Sequence, residues 1–286
     1  MSFLTGRCNI CGCATAFYFT DRALYRESLK CRECLSTSRY RSIARGLLRA
    51  VGFLTGVETK SLAELSGFPS AARLKIYDTQ IPFYYERDAY PTPDVLSRCP
   101  WIDVQTSVFR PREPLGKQLG PNRTNQNLEN LTFPSDSFDI VVTSDVMEHV
   151  RLDDLAHREI QRVLKPGGFY LFTVPHFRSR DTLVRVRVRD ADDPSKDEYL
   201  TEREYHGNAN SEDGRALSFR AYGTDLDARL QHLGFQVEYT KQDFPETGIL
   251  NTELFFCRLS KRPAENEPAV HPQAVHAVSQ GSSSST

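Results

Sequence analysis

The stretch that decides the fold runs from residue 138 to residue 174. It opens with Phe138-Asp-Ile-Val-Val-Thr-Ser144 and closes with Phe169-Tyr-Leu-Phe-Thr-Val174. Both segments are rich in β-branched and aromatic residues, a composition typical of strands buried on both faces of a sheet. Between them, apolar residues recur every three or four positions from Leu152 to Leu164 and Pro166-Gly167-Gly168 follows, which predicts a helix that ends there. A strand, a helix and a strand in this order predict a right-handed crossover in a parallel sheet, and so an α/β fold.

Further elements extend this unit in both directions. Upstream, the short apolar runs Ser61–Leu65 and Leu74–Asp78 predict the first two strands. Downstream, Thr224-Asp-Leu-Asp227 predicts a helix start at which the Thr224 side chain caps a backbone N–H, and Gly234 suits the end of that helix. Two more strands, 235–239 and 253–259, have no helix between them, so we expect them to pair antiparallel at the sheet edge.

The charge of the chain is unevenly distributed. Over all 286 residues, 36 Lys and Arg nearly balance 37 Asp and Glu, which argues against a protein that binds polyanions with its whole surface. Residues 1–50 hold nine basic and three acidic residues, a net charge of +6, which leaves −7 for residues 51–286. The first 50 residues are therefore the segment to consider for nucleic-acid contacts.

Nothing in the sequence indicates a membrane or secreted protein. No apolar stretch approaches the roughly 20 residues that a bilayer span needs. The N-terminus lacks a charged start followed by an apolar run, the pattern of a secretory signal. We expect a cytoplasmic protein with no membrane partner, and the oligomeric state is open.

Five of the seven cysteines lie near the N-terminus. Cys8-x2-Cys11 and Cys31-x2-Cys34 are separated by 19 residues, a spacing that favours one structural zinc ion held by four thiolates. Disulfides and a redox pair are the alternatives, and Cys13 could replace Cys11 as a ligand. A site with four protein ligands is closed, so we expect it to fold the module and to do no chemistry.

These observations divide the chain into three segments. Residues 1–55 form the predicted zinc-ribbon module with a linker helix, and residues 56–262 form the α/β body, with an insertion at about 176–215. Residues 263–286 contain no aromatic residue, three prolines and a Ser-rich end. Such a composition cannot bury enough apolar surface to offset the entropy of ordering, which predicts a disordered tail.

The central stretch also resembles a known family. Three motifs show the resemblance: a Phe-Asp-Ile-Val strand at Phe138–Val141, Glu148-His-Val150 and Leu164-Lys-Pro-Gly-Gly168. In these features residues 58–260 resemble the class I S-adenosylmethionine-dependent methyltransferases of the type 11-like branch, and Tyr205-His-Gly-Asn208 resembles a subgroup of them. The resemblance implies a seven-stranded Rossmann-like sheet that binds S-adenosylmethionine at the carboxyl ends of its strands.

The same resemblance implies site residues. Glu64, at the end of the first strand, would hold the methionine amino group through the loop that contains Ser66 and Gly67. Asp78, ending the second strand, or else Gln80, would accept from the ribose hydroxyls. The positions bordering the adenine and the transferred methyl group are Asn127, Leu128 and Asp145. The first loop of the family normally carries three glycines, and here it carries only Gly67.

A hydroxyl acceptor would also need a base, and a neutral imidazole suits that role near pH 7. The candidates are His206, in the insertion, and His149, after the fourth strand, with His176 a third choice. Within the insertion, Val184-Arg-Val-Arg-Val-Arg189 is either a half-exposed strand or a clamp for an anionic acceptor.

Three functions fit the sequence. The first is a methyltransferase for a small molecule, acting on an oxygen of a sugar or natural-product scaffold. The second is an RNA methyltransferase whose basic module, with Arg39, Arg41, Arg45 and Arg49 on its helix, grips nucleic acid. The third is a non-enzymatic scaffold with a degenerate cofactor pocket, suggested by the single glycine.

Overall fold

The fold is described from a computed structural model, which covers residues 4–19, 21, 24–80, 83–85, 88–207 and 214–260. The tail predicted at 263–286 lies outside these residues. The elements of the first third of the chain are β1 Leu4–Arg7, β2 Ala14–Phe19, α1 Tyr25–Ser28, β3 Leu29–Cys31 and α2 Ser38–Thr55. Antiparallel pairing joins β1 to β2 and β2 to β3, so the cysteine module is a three-stranded sheet followed by a long helix.

The remaining elements form the body. In chain order they are β4 Leu74–Asp78, β5 Phe83–Tyr85, β6 Asp88–Tyr90, α3 Thr92–Ser97, β7 Ile102–Val108, β8 Gln118–Gly120, β9 Arg123–Asn125, β10 Phe138–Ser144, α4 Asp153–Val163, β11 Leu164–Thr173, β12 Leu183–Val184, β13 Val186–Arg187, β14 Glu198–Tyr199, β15 Tyr205–Gly207, β16 Arg215–Leu217, β17 Arg220–Ala221, α5 Asp225–His232, β18 Phe235–Thr240 and β19 Leu254–Leu259. In the part of the chain described here, no helix is both long and apolar enough to cross a bilayer.

One sheet of eight strands organises the body, in the order β18-β19-β11-β10-β4-β7-β9-β8. The five central strands from β11 to β9 run parallel, and β19 is antiparallel to both β11 and β18, as the missing helix between the last two strands predicts. The α/β prediction is confirmed. The sheet has one strand more than the predicted seven, because the short β8 pairs with β9 at the edge.

The prediction for the start of the sheet is wrong. Residues 62–67 form a 3-10 helix, so Ser61–Leu65 is not a strand. This segment bonds to the cysteine module instead, where the N–H groups of Leu62 and Ala63 donate to the carbonyls of Asn9 and Ile10. The first strand of the body along the chain is therefore β4, and Asp78 ends the first strand rather than the second.

Both faces of the sheet are covered, as its apolar strands predict. On one face, α2 and the cysteine module share a single apolar core with the strands, from Cys8 and Phe17 to Ile76 and Leu171. On the other face, α4 and α5 pack on Tyr170, Phe172 and Phe255. The domain boundary at residue 55 stays a prediction, since the apolar core runs through it without a break.

The capping prediction for α5 is wrong in detail. Thr224 precedes the helix, but its side chain makes no cap to the helix backbone. Its hydroxyl donates instead to a carboxylate oxygen of Asp181, 3.1 Å away. The chain does turn at Gly234, whose φ of +85° favours glycine.

Candidate functional site

The parallel strands β4, β7, β10 and β11 end together along one side of the sheet, here called the carboxyl edge. The register places Asp78 beside Val142 and Ser144 beside Thr173, so the residues that follow these strands lie close to one another. Open α/β sheets bind ligands at this position. The sequence predicted site residues after these strands, and the structure brings two acidic ones, Asp78 and Asp145, to the edge.

Asp145 follows β10 in a left-handed conformation, with a φ of +50°. Arg26 of α1 donates to both of its carboxylate oxygens at 2.6 Å, and the Thr173 hydroxyl donates at 2.8 Å. Arg39 of α2 adds a second guanidinium, with its Nε 3.4 Å from Asp145 Oδ2. Burial alone would raise the pKa of Asp145, but Arg39 and Arg26 hold it well below its usual range. The cysteine module thus reaches the carboxyl edge and keeps this carboxylate ionised.

Asp78 has the opposite environment. Its carboxylate is buried and accepts from the Tyr90 hydroxyl at 2.5 Å and from the Gln80 N–H at 3.0 Å. Burial raises the pKa of Asp78 to about 7, and these two hydrogen bonds offset only part of that effect. Two buried atoms beside it, Thr79 Oγ1 and Gln80 Oε1, have no hydrogen-bond partner among the described residues. The end of β4 therefore presents polar atoms with unused bonding capacity.

The three residues assigned to the first loop lie elsewhere. Glu64, Ser66 and Gly67 belong to the 3-10 helix rather than to a loop after a strand. The Glu64 carboxylate accepts from Arg7 at 2.7 Å and from the Lys60 N–H at 3.0 Å. The structural premise of their cofactor role was a strand ending at Leu65, and that premise is wrong. The loop that does follow the first strand begins at Thr79 and contains no glycine up to Tyr90.

Asn127 and Leu128 come shortly after β9, the third of the parallel strands along the chain. The Gln126 N–H donates to the carbonyl of Val108 at the end of β7, which fixes this segment next to the neighbouring strand end. The Asn127 side-chain oxygen accepts from the Glu129 N–H at 3.0 Å, and Leu128 is buried. Their predicted place beside an adenine ring is compatible with this position and stays a prediction.

The structure brings together the two catalytic candidates, His149 and His206. His149 Nε2 lies 3.1 Å from His206 Nδ1, and the two rings stand perpendicular. The outer nitrogens are also engaged, since His149 Nδ1 lies 2.9 Å from the carbonyl of Leu217 and His206 Nε2 lies 3.1 Å from Glu204 Oε1. A carbonyl only accepts, so His149 carries its proton on Nδ1 and offers a lone pair at Nε2. Burial lowers the pKa of His149, which favours this neutral form.

Glu148 completes this cluster. Its side chain is fully buried, and neither carboxylate oxygen has a hydrogen-bond partner within the described ranges. Its Oε1 lies 3.7 Å from His149 Nε2 and 4.0 Å from His206 Nδ1. Burial, with a smaller contribution from Asp145, raises the pKa of Glu148 to about 8. Sequence reasoning used Glu148 only as part of a family motif and missed Glu204, which lies two residues from His206.

The third histidine candidate is placed differently. His176 Nε2 lies 3.0 Å from the carbonyl of Gly223, and its ring packs against Tyr239 and Phe255. These contacts fasten the end of β11 to the segment before α5. The arginines of the insertion are also used within it: Arg185 pairs with Glu204, and Arg187 and Arg189 pair with Glu198. They form paired short strands rather than an open clamp for an anion.

The four cysteines of the two knuckles converge. Their Sγ atoms all lie within 4.8 Å of one another, with 3.7 Å between Cys8 and Cys34 and 4.0 Å between Cys11 and Cys31. Sulfur atoms in a tetrahedron around zinc, with bonds of about 2.3 Å, stand about 3.8 Å apart. Cys13 is exposed and lies outside this group. The donor set and its spacing therefore fit a zinc ion.

Part of the body matches a known family. Residues 108–172, from the end of β7 to the end of β11, match the family model described as "Methyltransferase domain". This part of the body is therefore similar to a methyltransferase domain.

A curated protein also matches part of the chain. A ubiquinone/menaquinone biosynthesis C-methyltransferase of Hydrogenovibrio crunogenus is 38% identical over 88 residues, which are 27% of this chain and 35% of that protein. The chain thus spans about a third of the length of this curated relative.

Solved structures similar to this chain include an S-adenosylmethionine-dependent methyltransferase of Mesorhizobium loti, 16% identical, with 68% of this chain and 97% of that chain covered at a TM-score of 0.39. The PH0226 protein of Pyrococcus horikoshii is 14% identical, with 79% and 93% covered and a TM-score of 0.41. The assignment of the fold rests on the strand order described above.

The polar groups of the carboxyl edge suit S-adenosylmethionine. The cofactor's amino and ribose hydroxyl groups are donors, and the edge offers the Asp78 carboxylate and the unpaired oxygen of Gln80. The residues that would hold the cofactor are therefore Asp78, Thr79 and Gln80 after β4, with Asn127 and Leu128 after β9. Asp145 lies at the end of β10, between these residues and the histidines.

The raised pKa of Asp78 predicts a pH-dependent stability. The folded chain retains a proton on this carboxyl up to about pH 7, whereas the unfolded chain loses it near pH 4. The free energy of unfolding contributed by Asp78 is thus complete below about pH 4 and is lost as the pH rises to 7, by up to about 1.4 kcal/mol per pH unit. Asp78→Asn removes this dependence, because an amide does not titrate.

Urea unfolding of the wild type and of Asp78→Asn between pH 5 and 8, without cofactor, checks the prediction. The stability of the wild type relative to the variant should fall from pH 5 to about pH 7 and then level off. Asp103→Asn, at an exposed position of β7, is the matched control and should show no such trend. A difference that stays constant with pH would mean that Asp78 does not hold its proton.

Proposed function

We propose that the chain transfers a methyl group from S-adenosylmethionine to an oxygen of a small-molecule acceptor, such as a sugar or a natural-product scaffold. The observation that carries the proposal is the position of the His149–His206 pair beside the end of β10. In chain order, only Val146, Met147 and Glu148 separate Asp145 from His149. A proton acceptor therefore lies next to the place where the resemblance puts the transferred methyl group.

The cofactor supplies a methyl group bound to a positively charged sulfur. In the transfer the carbon–sulfur bond breaks, a carbon–oxygen bond forms, and the acceptor hydroxyl loses a proton. Because the Glu204 carboxylate only accepts, neutral His206 carries its proton on Nε2, 3.1 Å from Glu204, and has its lone pair on Nδ1, which faces His149 Nε2. These two inner nitrogens take up the proton of the hydroxyl, and Glu204 stabilises the resulting imidazolium.

The alternative functions find less support. The four helix arginines proposed to grip RNA are engaged within the fold: Arg39 and Arg41 are buried, Arg45 stacks on Phe244, and Arg49 pairs with Glu238. The curated relative is named a C-methyltransferase, and a carbon acceptor is an outcome that product analysis would reveal. A scaffold without cofactor is contradicted by any saturable binding of S-adenosylmethionine.

Calorimetry and product analysis test the proposal. S-adenosylmethionine should bind one to one, and incubation with a panel of sugars and polyhydroxylated scaffolds should give a product whose new methyl signal in NMR is that of a methoxy group. His206→Ala should lower kcat about 10²- to 10⁴-fold with cofactor binding unchanged, since it removes only the base. His232→Ala on α5 is the control. Absence of cofactor binding would refute the enzyme, and unchanged turnover in His206→Ala would refute the base.

We also propose that Cys8, Cys11, Cys31 and Cys34 hold a structural zinc ion. Both knuckles have the same backbone turn, in which Gly12 and Leu35 donate to the carbonyls of Cys8 and Cys31 at 2.9 Å from left-handed conformations. Arg41 lies beneath them, fully buried, and its guanidinium donates to the carbonyls of Leu29 and Gly248. The ion would therefore stabilise the face of the module that packs on the body.

Substitution of the ligands tests the zinc site. Cys8→Ser with Cys31→Ser should remove one zinc per chain and lower the thermal stability, because the closed site contributes to folding. Cys13→Ser should keep the metal content of the wild type. Mass spectrometry of the metal and circular dichroism melting measure both effects. Equal zinc in the double variant and the wild type would disprove the assignment.

A further inference from the structure

We propose a second metal site, for a divalent first-row transition ion, formed by Glu148, His149 and His206. The three facing atoms are Glu148 Oε1, His149 Nε2 and His206 Nδ1. They form a triangle with sides of 3.1, 3.7 and 4.0 Å. The point equidistant from its corners lies about 2.1 Å from each atom, within the roughly 2.0–2.2 Å of zinc bonds to nitrogen and oxygen.

The burial of Glu148 provides an independent reason. The carboxyl group is completely excluded from water and makes no hydrogen bond within the described residues. An unpaired polar group in such a position costs stability, and a buried carboxylate needs a cation or a metal as a partner. An ion at the centre of the triangle would supply that partner.

The outer nitrogens of both histidines have the partners that ligating histidines usually have. His149 Nδ1 faces the carbonyl of Leu217 at 2.9 Å, and His206 Nε2 faces the carboxylate of Glu204 at 3.1 Å. A metal-bound histidine almost always donates its other ring N–H to a carbonyl or carboxylate, which fixes the tautomer and the ring orientation. Each ring thus has an acceptor on its outer side and directs its inner nitrogen at the cluster.

The donor set selects the type of ion. Two imidazoles and one carboxylate suit Zn²⁺, Fe²⁺ or Mn²⁺, whereas Mg²⁺ and Ca²⁺ prefer oxygen ligands only. Three protein ligands leave at least one position open, in contrast to the closed site of four cysteines. His206 is partly exposed, whereas Glu148 is fully buried.

The catalytic consequence rests on the proposed function. With the ion bound, His206 keeps its proton on Nε2, and a metal-bound hydroxide would accept the proton of the acceptor hydroxyl to become water. The ion therefore takes over the role of the free imidazole. Binding of the ion itself does not depend on methyl transfer and can be measured without an acceptor.

The test counts metal ions in the full chain after equilibration with ZnCl₂ and gel filtration. The wild type and the control His232→Ala should hold one equivalent more than Glu148→Gln and His206→Ala. Glu204→Gln leaves all three ligands in place and should weaken zinc binding about 10- to 100-fold in calorimetry, because it removes the negative charge of the outer partner of His206. Arg185→Gln, which breaks the other ion pair of Glu204, is the matched control and should bind zinc like the wild type. Glu204 is an exposed residue, so this variant is informative even if a change at buried Glu148 prevents folding.

A wild type that holds no more than the single ion of the cysteines would overturn the proposal, as would equal content and affinity in all variants. S-adenosylmethionine calorimetry on the same samples separates the two proposals. Loss of zinc with intact cofactor binding concerns the metal site alone, and loss of cofactor binding concerns the enzyme.

Discussion

The ion pair between Arg26 and Asp145 constrains the rest of the structure. It joins the cysteine module to the end of β10 by two hydrogen bonds of 2.6 Å, with Arg39 and Thr173 on the remaining sides. Taking such charges out of water is costly, and only complete pairing offsets the cost. The module must therefore sit at one position on the sheet, and the apolar core that it shares with α2 keeps it there.

Because the module packs on the body, its positively charged residues form contacts within the fold. The excess of +6 in residues 1–50 suggested a surface for nucleic acid. Arg26 and Arg39 neutralise Asp145 and Glu27, Arg41 donates to backbone carbonyls, and Arg49 pairs with Glu238 of β18. A count of charged residues in a sequence does not show which groups pair in the folded chain. Here many of the partners of the module's basic residues belong to the acidic body.

Much of the sheet was predictable, because buried parallel strands need continuous apolar runs: β4 and β10 have the predicted bounds, and α4 lies where expected. β11 covers most of the predicted strand but begins at Leu164, so Pro166-Gly167-Gly168 lies within it. Ser61–Leu65 failed because a short apolar run fits a 3-10 helix packed on another module equally well. That error displaced Glu64, Ser66 and Gly67 from the edge and moved Asp78 to the first strand. The local sequence around Arg26 and Glu204 gives no indication of their contacts. Arg26, for example, lies 119 positions from Asp145 in the chain.

The central claim is that the cysteine module and the α/β body are held as one unit through the pair at the carboxyl edge. A double-mutant cycle with Arg26→Met and Asp145→Asn, read as the free energy of unfolding in urea, measures the coupling directly. Each single variant should be strongly destabilised, because it leaves a buried charge or donor without its partner. The double variant should lose about 1–3 kcal/mol less free energy of unfolding than the sum of the two single losses. Effects that add to within about 0.5 kcal/mol would contradict the account, because the two residues would then act independently.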